Sequence, residues 1–412
     1  MVRVLLSEGS SLSAREAITA LGIAGHIVDV CDPAPFSLGR LSGFVRRVYR
    51  CPAVGRDPFG YLDFVLSRLA TGGYDVLLPI HEQAFLFSRV EARFPDAVGL
   101  ALTEFQSFVQ AQSKASFVRL LRQLAIPHPP TRLASSEQDL RTETSFPFFL
   151  KTAYGTATSG VWKISSPSQL DSAIERLKTQ AALDGSGEVL IQQLATGQLE
   201  RIQSVFVHGA LVAWHGYRQE EEGNGGGDIS KVSVYRPAVR EYVERIGQQL
   251  GWHGALSLDY FFDQQTGAPQ FIDANPRLVE PMNGVFSGVN LADILVKVSL
   301  GERIADTPVV GREGIRSHTL LMALLEVGTR RRSRVALLRE VGRALRGRGR
   351  YSGSHEELLP ITMDPLSALS LGYVLSRLLI KPGTASKLAT QTVEAYALSI
   401  GAVRQILAVE EP

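Results

Sequence analysis

The stretch LSLDYFFDQQTGAPQFIDANPR, residues 256–277, decides the reading of this chain. Two runs of alternating apolar residues flank a Gln-Gln-Thr-Gly turn at 264–267, which is a β-hairpin signal. Centred on Thr266, the hairpin makes Asp259 and Asp273 cross-strand neighbours. Their β-carbons then lie about 5 Å apart on one face. Side chains alternate with period two, so Asn275 and Arg277 share that face with Asp273. Two opposed carboxylates repel unless a cation or a proton sits between them. Oxygen donors from Asp259, Asp273 and Asn275 suit Mg²⁺, which keeps waters and shares its shell with substrate phosphates. The bland alternative is a polar, solvated hairpin face.

A second stretch, FFLKTAYGTATSGVWKI at 148–164, has the same hairpin character. An apolar strand ends in Lys151, a loop of small residues follows, and a second strand begins at Val161. In a Walker-type loop the glycines lead into a helix; here they lead into a strand. The loop is therefore a hairpin tip able to fold over phosphates. Its small residues let backbone N–H groups approach the oxygens. An ordinary flexible tip is the alternative.

The rest of the chain sets the frame. It has 412 residues, 45% of them hydrophobic and 20% charged, which are globular values. Such a length predicts two to four domains of about 100–200 residues. The formal net charge of +2 excludes a dedicated nucleic-acid coat and an acidic disordered chain. The two cysteines, Cys31 and Cys51, exclude a disulfide scaffold and form no metal-binding spacing. They read as small apolar residues in a reducing cytosol. The N-terminal apolar run breaks at Ser7 and Glu8, too early for a signal peptide, and no apolar run is long enough to span a membrane. A cytoplasmic location is expected.

Strand, small-residue turn, helix and strand over residues 2–30 form a βαβ unit. A helix at 59–71 and a strand at 76–80 continue it. Residues 1–105 are expected to form an open parallel α/β domain. The first turn holds one glycine, Gly9, so a Rossmann dinucleotide fingerprint is absent. A helix is expected at 113–125. From 146 to 280 the pattern is strands with one helix near 236–250. Residues 306–412 read as helical.

At this point the motifs resemble the ATP-grasp superfamily, in particular its carboxylate–amine ligases related to the large chain of carbamoyl phosphate synthetase. The family's glycine-rich loop matches at Lys151, Gly155, Thr158, Ser159, Gly160 and Val161, with Ala157-Thr158 where Gly-Ser is usual. Its metal segment, acid-x-Asn-x-Arg, matches Asp273, Asn275 and Arg277. Asp259 supplies the acid on the neighbouring strand. Aspartate replaces the more usual glutamate at both acids. Lys114 resembles the first nucleotide-contacting lysine. Residues 189–197 resemble the strand on which adenine rests, with Gln193, Leu194 and Ala195 along its edge. Glu200 stands one residue beyond the usual ribose position. Arg218, followed by Gly225–Gly227, resembles the arginine and glycine-rich loop near the acyl phosphate.

The resemblance covers roughly residues 1–300. It implies an α/β ATP-grasp fold: a Rossmann-like domain at 1–105, a nucleotide-binding and catalytic domain at 106–305, and a mainly helical extension at 306–412. It implies a Mg²⁺- and ATP-dependent ligase, with Mn²⁺ able to substitute. A carboxylate, an amino acid or small natural-product acid, becomes an acyl phosphate, and an amine displaces phosphate. Lys114 and Lys151 would hold phosphates, and Arg277 and Arg218 would face the transferring group. Glu280 is a candidate base. His81 and Glu82 follow a strand end and are candidate substrate contacts. His215 and His253 read as packing residues. A small-molecule kinase and a non-catalytic nucleotide- or nucleic-acid-binding protein are the rivals.

Nine arginines between Arg330 and Arg350 face one acid, Glu340. The block carries Val335, Leu338, Val341 and Leu345 at helical spacing and reads as a solvated amphipathic helix. No aromatic interleaves it before Tyr351, which disfavours nucleic acid. Residues 364–380 are apolar enough to pack on the core or on a second subunit, as in a homodimer.

Overall fold

The computed structural model describes residues 1–155, 160–179, 188–223, 227–385, 393 and 396–409. Strands β1 (Arg3–Leu6), β2 (Ile27–Asp32), β3 (Val45–Arg50) and β4 (Val76–Leu78) form a parallel sheet in the order β3-β2-β1-β4. Helix Leu12–Ile23 joins β1 to β2 and starts at Ser11, whose side chain accepts from the Ala14 N–H. Strand β3 is absent from the sequence reading. Its arginines, Arg46, Arg47 and Arg50, mask the strand pattern, and its edge position is what tolerates them.

A small antiparallel sheet follows, built from β5 (Thr131–Ala134), β6 (Phe148–Thr152), β7 (Val161–Ile164) and β8 (Val189–Gln193) in the order β5-β8-β6-β7. Helix Pro167–Thr179 buries Leu170, Ala173, Ile174 and Leu177 against it. The sequence reading, with one helix between 146 and 280, missed this element.

The central sheet contains β9 (Gln198–Val207), β10 (Ala210–Glu222), β11 (Asp228–Val234), β12 (Gly254–Asp263) and β13 (Ala268–Asn275). From beyond residue 305, β14 (Val309–Val310) pairs with β10, β15 (Arg316–His318) with β11, and β16 (Ser354–Glu356) with β15. The C-terminal region is therefore sewn into the central sheet, and the expected boundary at 305 falls between helix Leu291–Ser299, which covers one sheet face, and the added strands. Helices Leu320–Arg330, Arg334–Leu345 and Ser367–Ile380 pack together in a small core that also takes in Ile229 of β11 and touches Leu12 and Leu38 of the N-terminal domain. Helix Arg334–Leu345 buries only Leu337 and Glu340, so most of the arginine block faces solvent. Among the described residues no helix is long and apolar enough to cross a membrane.

The two faces of the central sheet differ. One carries Ile202, Phe206, Trp214, Leu256, Leu258 and Tyr260 against Val239, Val243 and Ile246 of helix Pro237–Leu250. The other is covered at one end by helix Leu291–Ser299, packed on Val205, Ala213 and Ala255. Its remaining rows are polar and form the candidate site.

Candidate active site

Strands β10, β9, β12 and β13 align Tyr217, Arg201, Asp259 and Asp273 in one cross-strand row. The next row on that face is His215, Gln203, Ser257 and Asn275. Asp259 and Asp273 are thus directly opposed, as the hairpin arithmetic requires. The ladder reaches that pairing by an irregular route. Near the turn, Asp263 pairs with Ala268 and Tyr260 with Phe271; Asp259 then pairs with Asp273, leaving Ile272 as an extra residue. This β-bulge turns Asp273 and Asn275 away from the core that holds Phe271. The Ile272 carbonyl lies 3.4 Å from Lys151 Nζ.

The two lysines converge on this pair. Lys114 opens helix Lys114–Gln123, capped by Ser113, and its Nζ is 3.1 Å from Asp273 Oδ2 and 3.3 Å from the Gly155 carbonyl. Lys151, the penultimate residue of β6, is buried beside it. Burial lowers its ammonium from 10.5 to about 8, with Asp273 opposing the effect and Lys114 adding to it. Burial raises the Asp259 carboxyl from 3.8 to about 6; Arg201 opposes this and Asp273 reinforces it. Asp259 Oδ1 is buried without a hydrogen-bond donor, although Arg201 Nε lies 3.4 Å away. An all-oxygen donor set, two facing carboxylates and an orphaned acceptor fit a hard divalent cation. Asn275 Oδ1 accepts from Arg277 Nη2 at 3.1 Å, which links the metal-type donors to the arginine.

The loop at 153–160 bridges β6 and β7. Gly160 takes φ +76°, and a β-carbon there would fall 2.1 Å from Thr152 Oγ1, so the loop base requires glycine. Thr158 and Ser159 lie outside the described residues, as do Gly225 and Gly226. Gln193 ends β8, and its N–H donates to the Pro130 carbonyl. Leu194 is 38% exposed, and residues 194–197 carry the chain from the small sheet to the central one.

Two expected residues fall on the opposite face. Strand alternation puts Glu200 and Arg218 in a row with Tyr260 and Phe271. Glu200 is fully buried there, bound by Arg236 at 2.8 and 3.0 Å and by the Tyr260 hydroxyl at 2.9 Å. Arg218 pairs with Glu220 at 3.1 Å. Neither side chain points at the acid pair. Arg201 stands where Arg218 was expected: its Nη1 binds both Asp228 oxygens at 2.8 Å, and its Nε faces Asp259.

Beyond Arg201 the polar face continues to a buried cluster. Lys231 Nζ lies 2.5 Å from Glu280 and 2.8 Å from Glu357, over the Tyr217 ring. Burial works against the Lys231 charge, yet Glu280 and Glu357 hold it protonated. Glu16, from the N-terminal domain, brings a third carboxylate within 4.8 Å of those two. Burial and the Glu357 charge raise its carboxyl well above 4.5. Glu280 has φ +52°, a strained conformation for a non-glycine residue, and is no surface carboxylate. His215 binds Asn283 at 2.7 Å and His253 stacks on His208, the packing roles expected of them. His81 and Glu82 follow β4; the His81 ring packs at a tilt against Tyr396, with centroids 4.1 Å apart, and Glu82 accepts from the Leu398 N–H. Burial, with nearby Arg277, keeps His81 neutral.

No protein-family model matches the chain. It is 26% identical over 216 residues to the arginine-specific large chain of carbamoyl phosphate synthase from Geobacillus stearothermophilus; the match covers 48% of this chain and 19% of that one. The chain thus spans about a fifth of the length of the curated relatives it matches. The biotin carboxylase domain of Hydrogenobacter thermophilus 2-oxoglutarate carboxylase, solved with MgADP and bicarbonate, superposes with a TM-score of 0.61 at 15% identity, over 76% of this chain and 73% of that one. An L-amino acid ligase from Bacillus licheniformis gives 0.56 at 16% identity, over 73% and 74%. The chain has the ATP-grasp fold and is distantly related in sequence to the large chain of carbamoyl phosphate synthase.

Proposed function

We propose that the chain is an ATP-dependent ligase that activates a carboxylate as an acyl phosphate and joins it to an amine, releasing ADP and phosphate. The observation that carries this reading is the opposed Asp259–Asp273 pair with Lys114 and Lys151 converging on it. An ATP triphosphate needs cations on both sides and an oxygen cage for its divalent ion. Mg²⁺, or Mn²⁺ in its place, bound to Asp259, Asp273 and Asn275 would neutralise phosphate charge. Lys114 and Lys151 would hold phosphate oxygens. Gln193, Leu194 and Ala195 would edge the adenine. Arg277 would orient the carboxylate and the transferring phosphoryl group by paired N–H donors. The loop at 153–160 would exclude water from the reactive anhydride.

Glu280 would take the proton of the attacking amine. Lys231 fixes its carboxylate at 2.5 Å, which orients it. His81 and Glu82 would line the acid or amine pocket. Similarity to an L-amino acid ligase supports an amino acid as one substrate. A cytoplasmic location accords with this role. The test is ADP and phosphate release across a panel of amino acids and amines. Release of both only when acid and amine are present supports the ligase. ADP formed from one substrate without phosphate would identify a kinase. Full turnover by Asp273→Asn would remove the metal assignment.

A further inference from the structure

A cavity of about 440 Å³ opens on the N-terminal domain, away from the residues assigned above. It is lined by Arg3, Arg47, Arg68, Tyr49, Thr71 and the Gly72–Gly73 turn. Arg3 opens β1 and the turn follows helix Pro58–Gly72, so the cavity sits toward the N-terminal ends of the strands. Glu8, His81 and Glu82 instead follow strand C-terminal ends. The two regions are distinct.

The lining contains three guanidinium groups and no carboxylate. The neighbouring acids are already engaged. Asp29, cross-strand from Arg47, accepts from Arg46 at 2.9 and 2.6 Å and from the Tyr74 hydroxyl at 2.6 Å. Asp75 accepts from the Arg3 backbone N–H at 2.7 Å. Aromatic rings back the guanidinium groups: Arg3 lies over Tyr74, and Arg68 over Tyr49 and Phe64, at 5.5–5.6 Å. Arg3 Nε and Arg68 Nε are both buried without a hydrogen-bond partner. Gathering three like charges around one cavity is unfavourable until an anion joins them.

We infer that this cavity binds a phosphate-bearing small molecule, held by Arg3, Arg47 and Arg68. Guanidinium groups pair bidentately with phosphate oxygens. The cavity falls within the range of about 300–1,000 Å³ typical of organic ligands, which leaves room for more than a bare ion. Aromatic backing holds Arg3 and Arg68 in place before the ligand arrives, which lowers the ordering cost of binding.

Isothermal titration of the full chain with inorganic pyrophosphate in metal-free buffer tests this. The wild type should show two classes of site. Arg47→Gln and Arg68→Gln should each weaken one class about ten- to a hundredfold, the loss of one charge-assisted contact. Lys151→Met should weaken only the other class. Arg47 is exposed, so Arg47→Gln keeps the fold even if Arg68→Gln does not. ADP formation by Arg47→Gln, measured without pyrophosphate, should equal that of the wild type. A single class lost in Lys151→Met and intact in both arginine variants would overturn the inference. So would Arg47-dependent sedimentation with phosphatidylglycerol vesicles in the absence of any pyrophosphate site, which would assign the arginines to a membrane surface.

Discussion

Replacing Asp259 by asparagine should make the free protein more stable and the enzyme inactive. Burial lifts the Asp259 carboxyl to about 6 from 3.8. One pKa unit corresponds to about 1.36 kcal/mol, so holding the ion in the native state costs up to about 3 kcal/mol. The side chain keeps 19% of its surface, and solvent there reduces the figure to about 1–3 kcal/mol. The native value lies above the unfolded one. The wild type therefore loses this stability as pH climbs from about 4 to about 6, and the loss is complete above that. An asparagine side chain cannot ionise and escapes it. Urea midpoints measured without nucleotide should place Asp259→Asn above the wild type at pH 8, with the gap narrowing below about 6. Mg²⁺ with ADP should raise the wild-type midpoint and leave the variant's unchanged. ADP release, followed in parallel, should vanish in the variant. A variant no more stable than the wild type at pH 8, or one that still turns over ATP, would refute the reasoning.

Other expectations follow from the same geometry. Lys151→Met should weaken ADP binding by at least about tenfold, the worth of one charge-assisted contact, read by calorimetry. The profile of kcat/KM for ATP should rise through about 6 as Asp259 ionises and fall through about 8 as Lys151 loses its proton; Lys151→Arg should remove the alkaline limb. Arg201→Ala strands Asp228 and Asp259 without their partner and should cost about 3–5 kcal/mol in denaturation. Arg218→Ala breaks only a partly exposed pair, so it should cost under about 1 kcal/mol and leave ADP release near the wild-type rate. Glu280→Gln should lower kcat with little change in ADP affinity, and pre-steady-state phosphate release separates the two.

Local pattern carried much of this architecture. The β1–helix–β2 unit, the helix at Lys114 and the acid hairpin are legible because each is set by residues close in sequence. What was lost depended on partners far along the chain. Arg201 and Arg218 are equally plausible as isolated arginines. Only the register of β9 against β12 separates them, with Arg201 opposite Asp259. Lys231 and its carboxylates come from the N-terminal domain, the central sheet and the segment after β16, and no local pattern joins Glu16 to Glu357. Strand β3 was hidden by arginines that an edge tolerates, and one of them, Arg47, lines the cavity on the N-terminal domain. Strands β14–β16 are two or three residues long, below the length at which alternation is visible.

The extra residue at Ile272 also governs how this gene can change. Pro269 and Phe271 belong to the core, while Asp273 and Asn275 serve the candidate site, yet all four occupy odd positions. A regular strand cannot send them to different sides; the bulge reverses the parity between 271 and 273. Loss of the single codon for residue 272 would bring Phe271 and Asp273 next to each other, and plain alternation would then keep both acids on their face. The cost would fall on the carbonyl that meets Lys151. Loss of a codon between Asp273 and Asn275 has no such escape, because it turns Asn275 inward. The lineage can therefore lengthen or shorten this strand at one place and not at its neighbour. Comparative work on related genes should accept either spacing between Phe271 and Asp273, and only one between Asp273 and Asn275.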